Sequence, residues 1–148
     1  YDFHTSMIES SMMINDRMPE YTVERAAQIL NDFEKSLKGS KILALGVAYK
    51  SDIDDYRESP ALEVIEILEK KEAEVTFYDP LIPEYKYKKQ MHKGLTEMPK
   101  DLGEYDLIVL LSANSQFDYQ KITDQAKVIF DTRNAFADIK NRENIHLL

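Results

Sequence analysis

The chain contains no cysteine. That excludes a disulfide framework, thiolate metal sites and a cysteine nucleophile within these residues, and it fits a reducing, cytoplasmic compartment. No apolar run approaches the roughly 20 residues that a membrane span needs. No secretory signal pattern is visible, and residue 1 is Tyr rather than Met, so we expect a fragment of a longer protein. The dinucleotide fingerprint GxGxxG is absent, as is the P-loop pattern. Excess positive charge is absent too. The formal net charge is −8, which argues against a nucleic-acid surface, because phosphate neutralisation needs clustered Lys and Arg. The three His residues (His4, His92, His146) show no metal-ligand spacing and read as surface positions, so no metal site is expected. There is no internal repeat and no low-complexity segment.

What is present suits one folded domain with an appendage. The chain has 148 residues, 43% of them hydrophobic and 31% charged. Its organising stretch is KILALGVAYKSDIDDYRESP, residues 41–60. A short apolar run (42–47) reads as a buried strand. A loop follows, carrying Lys50, Asp52, Asp54, Asp55, Arg57 and Glu58. Ser59-Pro60 then reads as a helix N-cap with Pro at the first helical position.

Upstream, Met7, Ile8, Met12, Met13 and Ile14 lie among Ser and Glu, and four of the six Met fall within residues 1–18. This is either a frayed terminal helix or an adhesive helix that faces a partner. After a break at Pro19, Val23, Ala26, Ala27, Leu30 and Leu37 share one helical face, with Lys35 and Lys38 near the end and Gly39 as the stop. Downstream, Ala61, Val64, Ile65 and Leu68 mark a helix from Pro60 to about residue 71. A strand at 74–78 then completes a βαβ unit with parallel strands. Residues 81–103 read as an irregular excursion with at most a short helix. The run at 106–111 (DLIVLL) is continuously apolar, as in a strand buried on both faces. A short helix is expected at 117–125, a strand at 127–130 and a weak last strand at 145–148.

This order predicts an α/β fold: a Rossmann-like three-layer domain with a parallel sheet (39–148), preceded by a helical arm (1–38). In such a sheet the residues after each strand gather at one edge. Here these are Tyr49 and Lys50, Asp79, residues 112–115 and residues 131–134. Lys50 can meet a phosphate as a point charge, and Arg57 and Arg133 can grip phosphate or carboxylate through two N–H donors. Asp54, Asp55 and Arg57 could equally form an ion-pair network that holds the loop. Paired carboxylates such as Asp54 and Asp55 could bind Mg²⁺ or do acid–base work, but adjacent residues usually point apart.

At GVAYKSDIDDYRESPALEVIEIL the pattern becomes specific. It resembles the C-terminal, nucleotide-sugar-binding domain of the UDP-glucose/GDP-mannose dehydrogenase family. The strand ends in Gly, an aromatic-Lys pair follows (Tyr49-Lys50), then DD-x-R-x-SP (Asp54-Asp55, Arg57, Ser59-Pro60). YDP at residues 78–80 and D-x-R at residues 131–133 continue the resemblance, and the upstream YDFHTSMIESSMMINDRMPEYTVE is similar to the helical region before that domain. GVAYK with MPEY leans toward members that oxidise UDP-N-acetylhexosamines, with UDP-glucose as the alternative.

The resemblance implies an NAD-dependent, two-step oxidation of a sugar C6 alcohol to a carboxylate through a Cys thioester. In the family, that Cys and the GxGxxG loop lie in regions outside this stretch. The chain is thus expected to bind part of the substrate without turning it over, and no catalytic residue is assigned within it. Tyr49, Lys50 and Arg133 are implied to contact the UDP-sugar, Arg57 to reach toward NAD, and the arm to support a homodimer. Two positions depart from the family pattern: Ser51 stands where Pro is common, and Asn114 where His is common. No role is carried onto Asn114 or onto Arg17. Two other classes share parts of the pattern, a phospho-receiver-like signalling domain and a structural oligomerisation module.

Overall fold

The structure is a computed structural model that describes residues 18–148. Five parallel strands form the main sheet: β1 (Lys41–Leu45), β2 (Glu74–Tyr78), β5 (Leu107–Leu110), β6 (Ile129–Asp131) and β7 (Ile145–Leu147), in the spatial order β2-β1-β5-β6-β7. Three α-helices accompany it: α1 (Met18–Asp32), α2 (Pro60–Lys70) and α3 (Tyr119–Gln125). The expectation of an α/β doubly wound parallel sheet is met.

The continuous apolar runs become central strands because both of their faces are covered. In β1, Ile42 and Ala44 join the α1 and α2 side chains on one face of the sheet, while Leu43 and Leu45 join Phe117, Ile122 and Phe136 on the other. In β5, Leu107 and Val109 point to the first cluster and Ile108 and Leu110 to the second. Alternating side chains thus feed two cores, which gives three layers. Leu43, Leu45, Leu107 and Leu110 are each fully buried. Truncating any one to Ala removes about 2–5 kcal/mol.

α2 starts where its caps dictate. Ser59 Oγ accepts the Ala61 N–H at 3.3 Å and donates to Ala48 O at 3.1 Å, which ties the helix start to the end of the first strand segment. Gly46 follows β1 with φ +79°, and a Cβ there would lie 2.1 Å from Ser112 O. Both the backbone and the space therefore require glycine.

Three expectations change. The helix predicted to run to Gly39 ends at Asp32. Glu34 takes φ 60°, Lys35 N donates to Leu30 O at 2.9 Å and Glu34 N to Asn31 O at 3.0 Å. These two bonds form a Schellman stop, with Glu in the left-handed position that glycine usually fills. Leu37 stays buried outside the helix, and Lys35 pairs instead with Asp106.

The stretch read as an irregular excursion contains an antiparallel hairpin, β3 (Glu84–Tyr87) and β4 (Gln90–Lys93). Its two-residue turn is Lys88-Lys89, both at positive φ. That backbone is ordinarily announced by Asn or Gly, and Lys-Lys carries no such signal. Finally, His146 is not a plain surface residue: its Nε2 is buried without a hydrogen-bond partner, and its ring meets Phe33 edge-on at 6.1 Å. His92 stacks on Tyr85 at 4.8 Å.

Of the stretch read as an arm, residues 18–38 are described. α1 packs on α2 through Val23, Ala26, Ile29 and Leu30, within the same core as β1 and β5. Met7, Ile8, Met12 and Ile14 lie outside the described residues. No helix among the described residues is long and apolar enough to cross a membrane.

Candidate functional site at the carboxyl edge of the sheet

From β1 the chain moves outward to β2, then returns to the opposite side of β1 as β5. The switch point thus lies between β1 and β5, and crevices for ligands form at the carboxyl ends of such strands. Two loops flank it, residues 46–59 after β1 and residues 111–118 after β5. The loop after β6 carries Arg133. Neighbouring strands lie about 4.8 Å apart, so the ends of β1 and β6 stand roughly 10 Å apart with β5 between them. This brings Lys50 and Arg133 to one edge despite their separation in sequence.

Arg133 is set by a buried carboxylate. Asp131 is 1% exposed, and its two oxygens accept the N–H groups of Arg133 (3.0 Å) and Phe136 (2.9 Å). Thr132 Oγ1 donates to Leu110 O at 2.6 Å. The Arg133 guanidinium donates through Nε to Leu111 O at 3.1 Å, which folds it over the end of β5. It borders a cleft of about 290 Å³ with Thr132, Pro60, Ala61 and Thr22.

Tyr49 and Arg57 share a different cleft, of about 350 Å³, with Asp55 and Glu58. Tyr49 N donates to Asp55 O at 2.8 Å, closing residues 49–55 into a lobe. Tyr49 is 46% exposed, and the Lys50 ammonium lies 5.9 Å from its ring centroid. Of the two readings of Asp54, Asp55 and Arg57, the loop ion pair is present between Asp55 and Arg57. Asp55 accepts from Arg57 N (3.0 Å), Nε (3.1 Å) and Nη2 (3.3 Å). Those bonds hold the Asp55 carboxyl below its usual range and raise Arg57. Asp54 stays exposed beside them. The structure thus gathers Tyr49, Lys50 and Arg57 on one loop and sets Arg133 across β5 from them, in a separate cleft.

Other fasteners were not assigned from sequence. Asp52 Oδ1 accepts from Ser115 N and Oγ. Tyr56 Oη accepts the Lys86 N–H at 3.1 Å, which links the loop to the hairpin. Asp79, 4% exposed, accepts from Val47 N and Leu81 N, both at 2.9 Å. Partners 63, 30 and 32 positions away in sequence leave no local signal. A larger cleft of about 480 Å³ lies between α2 and the hairpin, bordered by the Lys88–Glu66 ion pair. Among the described residues no group of three or more His, Cys, Asp or Glu side chains is close enough to hold a metal ion.

The family model described as "UDP-glucose/GDP-mannose dehydrogenase family, UDP binding domain" matches residues 43–138, a span that holds Tyr49, Lys50, Arg57 and Arg133. The chain belongs to this family. It is 27% identical over 146 residues to the UDP-N-acetyl-D-mannosamine dehydrogenase of Methanococcus aeolicus, covering 97% of this chain and 31% of that protein. It is 32% identical over 136 residues to the UDP-glucose 6-dehydrogenase of Rickettsia conorii, covering 86% of this chain and 31% of that protein. The solved UDP-N-acetyl-mannosamine dehydrogenase Cap5O from Staphylococcus aureus superposes with a TM-score of 0.71 at 30% identity, covering 97% of this chain and 33% of that one. The chain therefore spans about a third of the length of the relatives it matches. Family membership removes the receiver-like reading.

Proposed function

We propose that this chain is the UDP-sugar-binding part of an NAD-dependent nucleotide-sugar 6-dehydrogenase, which oxidises the sugar C6 alcohol to a carboxylate in the cytoplasm. One observation carries the reading: the stretch matched by the family's UDP binding domain includes both cation-bearing loops at the carboxyl edge of the sheet. In this reading Lys50 meets the diphosphate as a point charge and Tyr49 supplies an exposed ring beside it. Arg133, with Nε occupied on Leu111 O, turns its two terminal nitrogens outward to an anionic or carbonyl group of the ligand. The sugar is a UDP-N-acetylhexosamine or UDP-glucose, and relatives of both kinds match about equally well.

NAD supplies hydride acceptance when bound. The first strand–helix turn of this chain, Gly46-Val47-Ala48-Tyr49, lacks the GxGxxG pattern that holds a dinucleotide's pyrophosphate. Arg57, exposed and resting on Asp55, is the one side chain assigned toward the cofactor, which is bound mainly outside this stretch. We further propose that the protein self-associates through the sequence around Met7, Ile8, Met12 and Ile14. Light scattering across a concentration series, comparing the chain with one lacking residues 1–17, tests this, and a mass that stays monomeric in both rejects it.

The binding assignment is tested by calorimetry with UDP. Charge-assisted contacts contribute about 1.5–3 kcal/mol each, so Lys50→Ala and Arg133→Ala should each weaken binding roughly 10- to 100-fold. Arg57→Ala should bind UDP as the parent does. If the first two variants bind normally and Arg57→Ala does not, the roles are misassigned.

A further inference from the structure

The lobe formed by residues 49–55 carries two of the proposed ligand contacts, yet Tyr49, Lys50 and Ser51 are all exposed. Its base is closed by Tyr49 N donating to Asp55 O. Toward the protein, Ile53 packs half-buried against the core. Toward the crevice, the lobe has one tether among the described residues: Asp52 Oδ1 accepts from Ser115 N at 2.7 Å and from Ser115 Oγ at 3.0 Å, across 63 residues of sequence.

The far end of this tether is a rigid turn. Asn114 is 4% exposed, its Oδ1 accepts the Gln116 N–H at 2.8 Å, and its backbone N and O both bond the Tyr119 hydroxyl at 3.1 Å. Tyr119 is in turn wedged against Phe136 at 4.9 Å. At its own end Asp52 takes φ 61°, a left-handed backbone that Asp and Asn tolerate better than other side chains.

We infer that Asp52 is a positioning residue: its carboxylate hooks the Tyr49–Lys50 lobe to Ser115 across the switch point and sets where Lys50 stands over the nucleotide crevice. The inference rests on the reading of Tyr49 and Lys50 as ligand contacts given above. It adds a residue that touches no ligand and acts through the loop. Joining the two loops on either side of the crevice fixes its width before the ligand arrives, so less ordering is left for binding to accomplish.

Asp52→Gly, Asp52→Asn and Ser115→Ala, made in the full chain, separate the possibilities. Glycine accepts the left-handed backbone but removes the hook, whereas asparagine keeps both the backbone tolerance and an acceptor oxygen. Amide spectra and hydrogen exchange are recorded without ligand, then UDP affinity by calorimetry. Asp52→Gly should speed exchange at the Ser115 amide, shift the Tyr49 and Lys50 amide resonances, and weaken UDP about tenfold, while the melting temperature stays close to the parent's. Asp52→Asn should retain the parental spectra and affinity, and Ser115→Ala should fall between the two. The inference is overturned if Asp52→Gly leaves the Ser115, Tyr49 and Lys50 amides unchanged. It is equally overturned if those amides shift while UDP binds as before. A parent chain that does not bind UDP counts against the reading of the site, whereas the ligand-free amide measurements judge the hook separately.

Discussion

Arg133 reaches its place through Asp131, which is buried and accepts a backbone N–H on each carboxylate oxygen. The D-x-R pair is therefore a division of labour: the buried acid shapes the turn and the exposed base points out of it. Asp79 does the same after β2 for Val47 and Leu81. His146 is the residue with the opposite problem, a buried ring nitrogen with nothing to bond. Burial first, and then the Arg25 guanidinium, lowers its pKa below 6.5, against a smaller opposing pull from Asp32. The unfolded chain therefore takes up a proton in a range where the folded chain refuses it. Stability contributed by neutral His146 is complete above 6.5 and declines as pH falls through that value toward the folded pKa. Thermal melts between about pH 7.5 and 5.5 should show a falling melting temperature, and His146→Leu should flatten that slope. The carboxylates whose pKa is lowered, Asp55, Asp106 and Glu66, lose their contribution only around and below 4, outside this window. A slope unchanged in His146→Leu would remove His146 from the account.

At the level of elements, the hairpin β3–β4 stores correctable strain. Lys88 and Lys89 stand at φ 50° and 67° in a two-residue turn. Lys88 has a role there, since its ammonium bonds Glu66 on α2 at 2.9 Å. Lys89 is exposed and its side chain bonds nothing among the described residues, so Lys89→Gly should relieve the left-handed backbone and raise stability by about 0.5–1 kcal/mol in a denaturant melt. A loss of stability would mean that the lysine stem packs against something important. The same turn explains what sequence could convey. β1, α2, β2 and β5 were legible because each carries its own signal: an apolar run, the Ser59-Pro60 start, or a 3.6-residue period. The hairpin was not, since Lys-Lys lacks the residues that announce such a turn. The stop of α1 at Glu34 was missed for the same reason, with Gly39 offering a false stop five residues later. The site divides the same way. Tyr49, Lys50, Arg57 and Arg133 stood out by type and by motif, whereas Asp52–Ser115 and Tyr56–Lys86 are contacts between distant segments that only the folded sheet brings together.

The molecule is built on a parallel sheet that carries Lys50, Arg57 and Arg133 in the loops at its carboxyl edge, within a chain that is acidic overall. A net charge of −8 repels an anionic nucleotide at a distance, so attraction must come from Lys50 and Arg133 within about one Debye length, roughly 10 Å at 0.1 M salt. Such an edge can bind, but binding is not turnover. Oxidation of an alcohol to a carboxylate removes two hydrides, and each needs an acceptor held against C6. The turn after β1, which holds a dinucleotide in many α/β folds, reads Gly46-Val47-Ala48-Tyr49 here and lacks GxGxxG. A covalent thioester route needs a thiol, and the 148 residues hold no cysteine. We therefore expect no NADH when the purified chain is mixed with NAD and either UDP-glucose or a UDP-N-acetylhexosamine, followed by absorbance over hours at high protein concentration. The same preparation should still show UDP binding that Lys50→Ala and Arg133→Ala weaken. Steady NADH formation that tracks the protein through purification would mean that the chemistry does not need a cysteine or a dinucleotide loop, and the division between binding and turnover drawn from this fold would be wrong.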